Sequence, residues 1–188
     1  DVAEAAAVTA VKSVAPAETA ALGGTSPLAR AMMMDAASPR ILHQADWLLG
    51  RLCGRFDVSD ENNALKSGYD PVTRRWPAWI AGTGFDVKRF PSVVPAGERV
   101  GTVLPEMARQ FGLPDDVAVV AGTTDGCAAF LASGAKEDGD GVTSLGTTLT
   151  LKLLSATPVF APAFGIYSHR IGDQWLAGGA SNRSEERR

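Results

Sequence analysis

This chain is poor in the features that make common functions easy to read. It holds two cysteines in 188 residues, Cys53 and Cys127. Two distant cysteines build neither a disulfide framework nor a zinc ligand set. Both are read as free thiols buried as small hydrophobes, as suits a reducing compartment. His43 and His169 are as isolated, and neither has metal-ligand spacing; no metal ligand is assigned. No basic block with interleaved aromatics occurs, and the formal net charge is -3. That argues against nucleic acid and membrane surfaces as partners. Every apolar run is too short to span a bilayer. There is no Walker A loop, GxGxxG, GxSxG or HExxH, which removes the common NTPase, dinucleotide, hydrolase and zinc-protease readings. The opening DVAEAAAVTAVKSVA is acidic early and lacks a basic n-region, so it is not read as a secretory signal. It has no initiator Met, as expected of a chain that begins inside a longer protein.

What remains supports a packed α/β core, since 45% of residues are hydrophobic. Val2 to Val14 is Ala-rich and helix-prone. Ser26-Pro27 and Ser38-Pro39 each pair an N-cap with Pro at the first helical position. The first helix is expected to reach Met34. In the second, Ile41, Leu42, Ala45, Leu48, Leu49 and Leu52 recur with helical spacing up to a Gly54 stop. Phe90 to Val103 reads as two short strands around Pro95-Ala96-Gly97, and Leu104 to Phe111 as a short helix closed by Gly112.

The segment Val117 to Lys152 carries the chemistry. It reads as a buried strand (Val117 to Ala121), a turn with Asp125, a small-residue helix, and a hairpin turn Gly146-Thr147-Thr148. Open α/β sheets place chemistry just beyond the carboxyl ends of their strands. A Gly-Thr-Thr turn offers N–H groups and hydroxyls to a phosphate. A base and a phosphate cradle about 20 residues apart point to phosphoryl transfer onto a hydroxyl. Each reading has a plainer rival. Asp125 also suits a helix N-cap, and the Gly-Thr-Thr turn also suits a bare hairpin tip. Gly122, Thr123 and Thr124 either line the same cleft or form only the turn that glycine permits. Asp46 is read as a surface or capping residue. The cluster Asp60, Asn62 and Asn63 is read as a hydrogen-bonded loop. The four tryptophans are read as packing residues, with Trp76 and Trp79 kept open as a sugar platform.

Five segments then carry a family resemblance, in family order: SPLARAMMM, HQADWLLGRLCGRFDVSDENNALKSGYD, VVPAGERVGTV, VAVVAGTTDGCAAFLASGA and VTSLGTTLTLK. Together they resemble the FGGY carbohydrate kinases. A sixth segment, IYSHRIGDQWLAGGASN, is similar to the cyanobacterial and plant-plastid ribulose and xylulose kinases. The resemblance implies an α/β, actin-like (ribonuclease-H-like) fold, with ATP and sugar between two domains. This chain would supply the end of the first domain (1–138) and the beginning of the second (139–188), with a candidate hinge at 139–141. Asp125 stands at the position of the catalytic base. Gly146, Thr147 and Thr148 match the ATP phosphate-binding turn. ATP with Mg²⁺ is the implied cofactor pair, a pentulose the implied substrate, and cytoplasm or plastid stroma the implied compartment.

The chain departs from that family in several places. Arg30 replaces a usual Lys and Met33 a usual Trp. The family's opening Asp-x-Gly-Thr loop and its later adenosine site have no counterpart here, and Arg183 to Arg188 (RSEERR) stands where a helix would continue. An incomplete kinase is therefore expected, pairing with the missing remainder or with a second copy. The alternative is a non-catalytic fragment or pseudoenzyme serving as a structural or interaction module.

Overall fold

Polar side chains satisfy the first backbone N–H groups of several helices, while those beginning at Ala5 and Pro105 start without one. A computed structural model describes residues 3–22, 25–146 and 148–181. Its contacts divide the chain into two units: residues 1–15 with 21–123, and residues 16–20 with 124–188.

In the first unit, α1 spans Ala5–Val14 and buries Val11. Ser26 accepts a hydrogen bond from the Ala29 N–H and starts α2, Pro27–Ala31. This helix stops short of the expected Met34. The N–H groups of Met33 and Met34 reach back only three residues, to Arg30 and Ala31. Asp35 then accepts the Ala37 N–H, an Asx turn that competes with the helix.

The next helix, α3, is Gln44–Cys53, so Ser38-Pro39 does not start it. The Ile41 N–H donates to the Arg89 carbonyl, and the Arg89 guanidinium donates to the carbonyls of Ser38 and Asp35. Those bonds hold 35–41 out of helix. Asp46 then accepts the His43 N–H at 2.9 Å and begins the turn. Asp46 is 2% exposed, so its role is a buried cap and not a surface one. Gly54 ends the helix with φ 79°, a left-handed conformation that costs glycine little.

The core of this unit gathers Val11, Leu28, Ile80, Phe85 and Phe90. Trp76 stacks on Phe90 with centroids 4.8 Å apart and meets Tyr69 edge-on. Trp76 and Trp79 both pack, partly buried, against this core. Trp47 does not pack as expected: it is exposed, with the Arg51 guanidinium over its ring.

Two small sheets frame the rest of the unit. β1, Val58–Asp60, pairs in parallel with β2, Ser92–Val94, and leads directly into α4, Glu61–Ala64. β3, Arg99–Thr102, pairs antiparallel with β4, Ala118–Val120, across α5, Pro105–Phe111. The expected buried strand 117–121 is thus shorter, and it is not buried: Val120 is 49% exposed. β4 has one ladder neighbour, β3, and its Val119 and Val120 border a cavity with Leu48, Leu49 and Leu52 of α3.

The second unit sets α6, Asp125–Ala132, on a four-stranded antiparallel sheet. The strands are β5, Gly141–Leu145; β6, Leu149–Ser155; β7, Tyr167–Ile171; and β8, Gln174–Ser181. Their order is β5-β6-β8-β7. Both expected hairpins form. Cys127 and Phe130 of α6 pack on Leu154 and Leu176 of the sheet. Alternation then sends Leu149, Leu151 and Leu153 to the opposite face, where all three are exposed together with Leu145. Cys127 is the fully buried thiol; Cys53 is only half-buried.

Gly50 tests the packing of α3. A Cβ there would come within 2.6 Å of Phe56 Cε1. Gly50→Ala should therefore destabilise the protein by about 1–3 kcal/mol, although alanine favours a helix by about 1 kcal/mol. The midpoint of urea unfolding measures this. A stabilised variant would show that Phe56 yields freely.

Candidate active site

Asp125 is the first residue of α6, and the residue before it supplies the cap. The Thr124 hydroxyl accepts the Cys127 N–H at 3.4 Å, so Thr124, and not Asp125, is the N-cap. Asp125 is exposed, and its Oδ1 accepts the Gly126 N–H at 2.7 Å. The fully buried Cys127 and nearly buried Phe130 fix the helix behind it. An exposed carboxylate on a rigid helix start can accept a proton from an incoming hydroxyl.

Gly146 and Thr148 lie in the three-residue connection between β5 and β6, closed by the pair Leu145↔Leu149. Both are exposed. Thr147 lies outside the described residues. Gly146 is not among the positive-φ glycines; what its missing side chain leaves bare is backbone at a hairpin tip. Exposed turn N–H groups can receive a phosphate oxygen.

One residue near Asp125 escaped the sequence reading. A Cβ on Gly126 would lie 3.0 Å from Lys152 Nζ, and a Cβ on Gly178 would lie 3.0 Å from Lys152 Cγ. Lys152 therefore runs between two glycines toward the start of α6. The Leu-Thr-Leu-Lys-Leu alternation was the available signal: it puts Lys152 on the face opposite the exposed leucines.

In the first unit, Gly122 is exposed and Thr123 half-buried. Gly122 edges a cavity of about 250 Å³ that also meets Asp46, Ser59, Asp60, Leu49 and Val120. The Asp60 cluster is the hydrogen-bonded loop expected. Asp60 Oδ1 accepts the N–H groups of Asn62 and Asn63, each at 2.9 Å. Its Oδ2 accepts from the Asn63 amide at 2.6 Å. The Asn62 amide donates to the Thr123 hydroxyl at 2.9 Å.

His43 stands at the start of α3 and joins a side-chain network there. Its Nδ1 meets Asp46 Oδ2 and its Nε2 meets Ser67 Oγ, both at 2.9 Å, with Ser59 Oγ 3.3 Å from Nδ1. The spacing is that of a Ser-His-Asp triad. Ser67, however, is 0% exposed, so no substrate reaches its hydroxyl. The group is a satisfied buried network, legible only once the fold brings residues 43, 59 and 67 together.

Among the described residues, no group of three or more His, Cys, Asp or Glu could hold a metal ion, and no helix is long and apolar enough to cross a membrane.

Burial raises the Asp60 carboxyl above its usual range, against the Asn63 amide and the N–H groups of Asn63 and Asn62, which pull it down. A raised folded-state value means the native protein holds that proton more tightly than the unfolded chain. The contribution of Asp60 to stability is therefore greatest at acid pH and declines as pH rises through the folded value. Asp60→Ala should cost about 1 kcal/mol at neutral pH, from the lost cap, and more near pH 4. Urea midpoints of both proteins across pH 4–8 measure this; a deficit that shrinks on acidification would refute it.

The family model described as "FGGY family of carbohydrate kinases, N-terminal domain" matches residues 28–132. Among curated proteins, the chain is 29% identical over 126 residues to a ribulokinase of Halalkalibacterium halodurans, covering 61% of this chain and 22% of that one. It is 32% identical over 162 residues to an L-fuculokinase of Salmonella typhi, covering 75% and 34%. The chain thus spans between a fifth and about a third of the length of these relatives. Among solved structures, a xylulose kinase from Rhodospirillum rubrum superposes with a TM-score of 0.79 at 22% identity, covering 94% of this chain and 39% of that one. A carbohydrate kinase from Novosphingobium aromaticivorans gives 0.73 at 24% identity, covering 96% and 44%.

Proposed function

The chain belongs to the FGGY family of carbohydrate kinases, and from that premise we propose that it is part of an ATP-dependent kinase acting on a sugar hydroxyl, most simply a pentulose such as ribulose or xylulose. Its fold is that family's actin-like α/β ATPase fold, present in part. The observation that carries the proposal is the exposed Asp125 carboxylate at the rigid start of α6.

In this reading Asp125 accepts the proton of the attacking hydroxyl as that oxygen approaches the γ-phosphate. Phosphoryl transfer leaves the protein little covalent chemistry, so positioning and charge stabilisation do the catalysis. Backbone N–H groups of the Gly146 to Thr148 turn hold phosphate oxygens. Thr147 belongs to this assignment through the family resemblance alone. Gly122, Thr123 and Thr124 border the sugar side. Magnesium would arrive with ATP, keep most of its waters, and supply positive charge to the phosphates. The domain boundary near 138/139, with its glycines at 139 and 141, is part of the same proposal. So is a location in cytoplasm or plastid stroma.

The test is coupled ADP release with Mg-ATP and ribulose, xylulose or glycerol, run on a kinase carrying this chain and on the 188 residues alone. Asp125→Asn should lower sugar-dependent turnover at least about a hundredfold, since a general base contributes on the order of 10²–10⁴. Turnover that survives the substitution removes Asp125 as the base.

A second reading, an interaction module without activity, is favoured by one observation. Leu145, Leu149, Leu151 and Leu153 expose an apolar face on the β5–β6 hairpin, of a kind that soluble monomers rarely leave open. Under either reading the 188-residue chain should self-associate, and Leu151→Ser with Leu153→Ser should reduce it. A monodisperse 19.6 kDa species at tens of micromolar (roughly, the range where such surfaces aggregate) would count against a face that needs cover.

A further inference from the structure

We infer that Lys152 is a further catalytic residue, whose ammonium holds the γ-phosphoryl group as it passes to the hydroxyl at Asp125. The inference rests on the reading of Asp125 as the base, and every residue it uses lies in the second unit.

Strand register and two absent side chains put the ammonium in place. Lys152 lies on β6, paired with Val142 of β5 and Gly178 of β8. Residues paired across a ladder share a face, so Lys152 passes over Gly178, where a Cβ would meet Lys152 Cγ at 3.0 Å. The stem then reaches Gly126, where a Cβ would lie 3.2 Å from Cε and 3.0 Å from Nζ. Gly126 directly follows Asp125, one Cα step of about 3.8 Å. Thr150 and Ala180 pair next along the same face, toward the Gly146 to Thr148 turn that opens β6.

The reaction needs a cation here. A hydroxyl gives its proton to Asp125 across about 2.6–3.2 Å, and its oxygen attacks a phosphorus about 3–3.5 Å further on. The γ-phosphoryl group thus passes within about 7 Å of a carboxylate of the same sign of charge. In the transfer the hydroxyl oxygen bonds to phosphorus and its proton passes to Asp125. The bridging bond breaks with its electron pair going to ADP, and Lys152 keeps its proton throughout. Charge spreads over three equatorial phosphoryl oxygens, which a compact ammonium can follow as a point charge. Lys152 is half-buried, and none of the ion pairs among the described residues engages it. It does not serve the helix either, since cations are disfavoured beside a helix start.

The test is made in a kinase carrying this chain. Lys152→Met should lower kcat on the order of a hundredfold, the size of one lost donor to developing charge, with the sugar KM unchanged. Calorimetry should show Mg-ATP bound about tenfold more weakly and Mg-ADP, which lacks the γ-phosphate, bound as before. The urea midpoint should not fall. Gly126→Ala is the second variant. Its Cβ meets only the flexible end of Lys152, and alanine favours a helix, so the fold should hold while the ammonium is displaced and kcat drops. In the Lys152→Met background the same change should do little. Unchanged kcat, ATP and ADP weakened alike, a midpoint that falls with kcat, or a Gly126→Ala loss that persists in the double variant overturns the inference. If Asp125→Asn keeps turnover while Lys152→Met loses both kcat and the preference for ATP, the reading of Asp125 fails and the hold of Lys152 on the γ-phosphate stands.

Discussion

The buried carboxylate of Asp60 organises the first unit where β1 turns into α4. Three donors converge on it: two backbone N–H groups and the Asn63 amide. A carboxylate with so little water costs free energy unless each oxygen is occupied, and here both are. Burial raises its pKa above the usual carboxylate range, and its three donors oppose that shift. The same bonds start α4 with no residue wasted between strand and helix, and they fix the backbone from which Asn62 reaches Thr123. A backbone junction and a helix cap therefore share one anchor.

His43 and Asp46 build a second anchor of the same kind at the start of α3. Here the sequence contains every part of a hydrolytic triad, and the fold withholds what a hydrolase needs. Ser67 has no solvent path, so its hydroxyl serves only to occupy the His43 Nε2 position. Geometry alone would have suggested a nucleophile, and accessibility decides against it. Asp125 is the reverse case. Its carboxylate accepts the adjacent Gly126 N–H. It is exposed, which is what a group awaiting a substrate proton requires.

How far the chain is legible follows from the range of each interaction. Local signals read well. Ser26-Pro27 starts a helix, Gly54 and Gly112 end helices with left-handed backbone, and the alternation of Leu149 to Leu153 gives a strand. Ser38-Pro39 misled because the competing bond comes from Arg89, some fifty residues away in sequence. The helix at Pro27 ended early because Asp35 captures the next turn. For Val117 to Ala121, apolar composition correctly indicates strand but does not say what covers it. Asp125 was visible from its place after that strand, and its plainer role as cap passed to Thr124. Lys152 was legible only as the polar member of an alternation and Asn62 only as part of a hydrogen-bonded loop, since their contacts with Gly126, Gly178 and Thr123 come from the fold.

The exposed leucines show how sequence and physics constrain function together. In the second unit one sheet face is covered by Cys127 and Phe130 of α6. The other carries Leu149, Leu151 and Leu153, all of them exposed. A strand evolved for solvent on one face would place threonine, lysine or glutamate at those positions. Here Thr150 and Lys152 instead occupy the face that α6 partly covers, with Lys152 threaded between Gly126 and Gly178. Leu154 of the same strand joins Cys127 and Phe130 on the covered face, so that face is an apolar core with Thr150 and Lys152 at its edge. The leucines on the other face form a second apolar surface that stays exposed, and covering it would release hydrophobic free energy in proportion to the area buried.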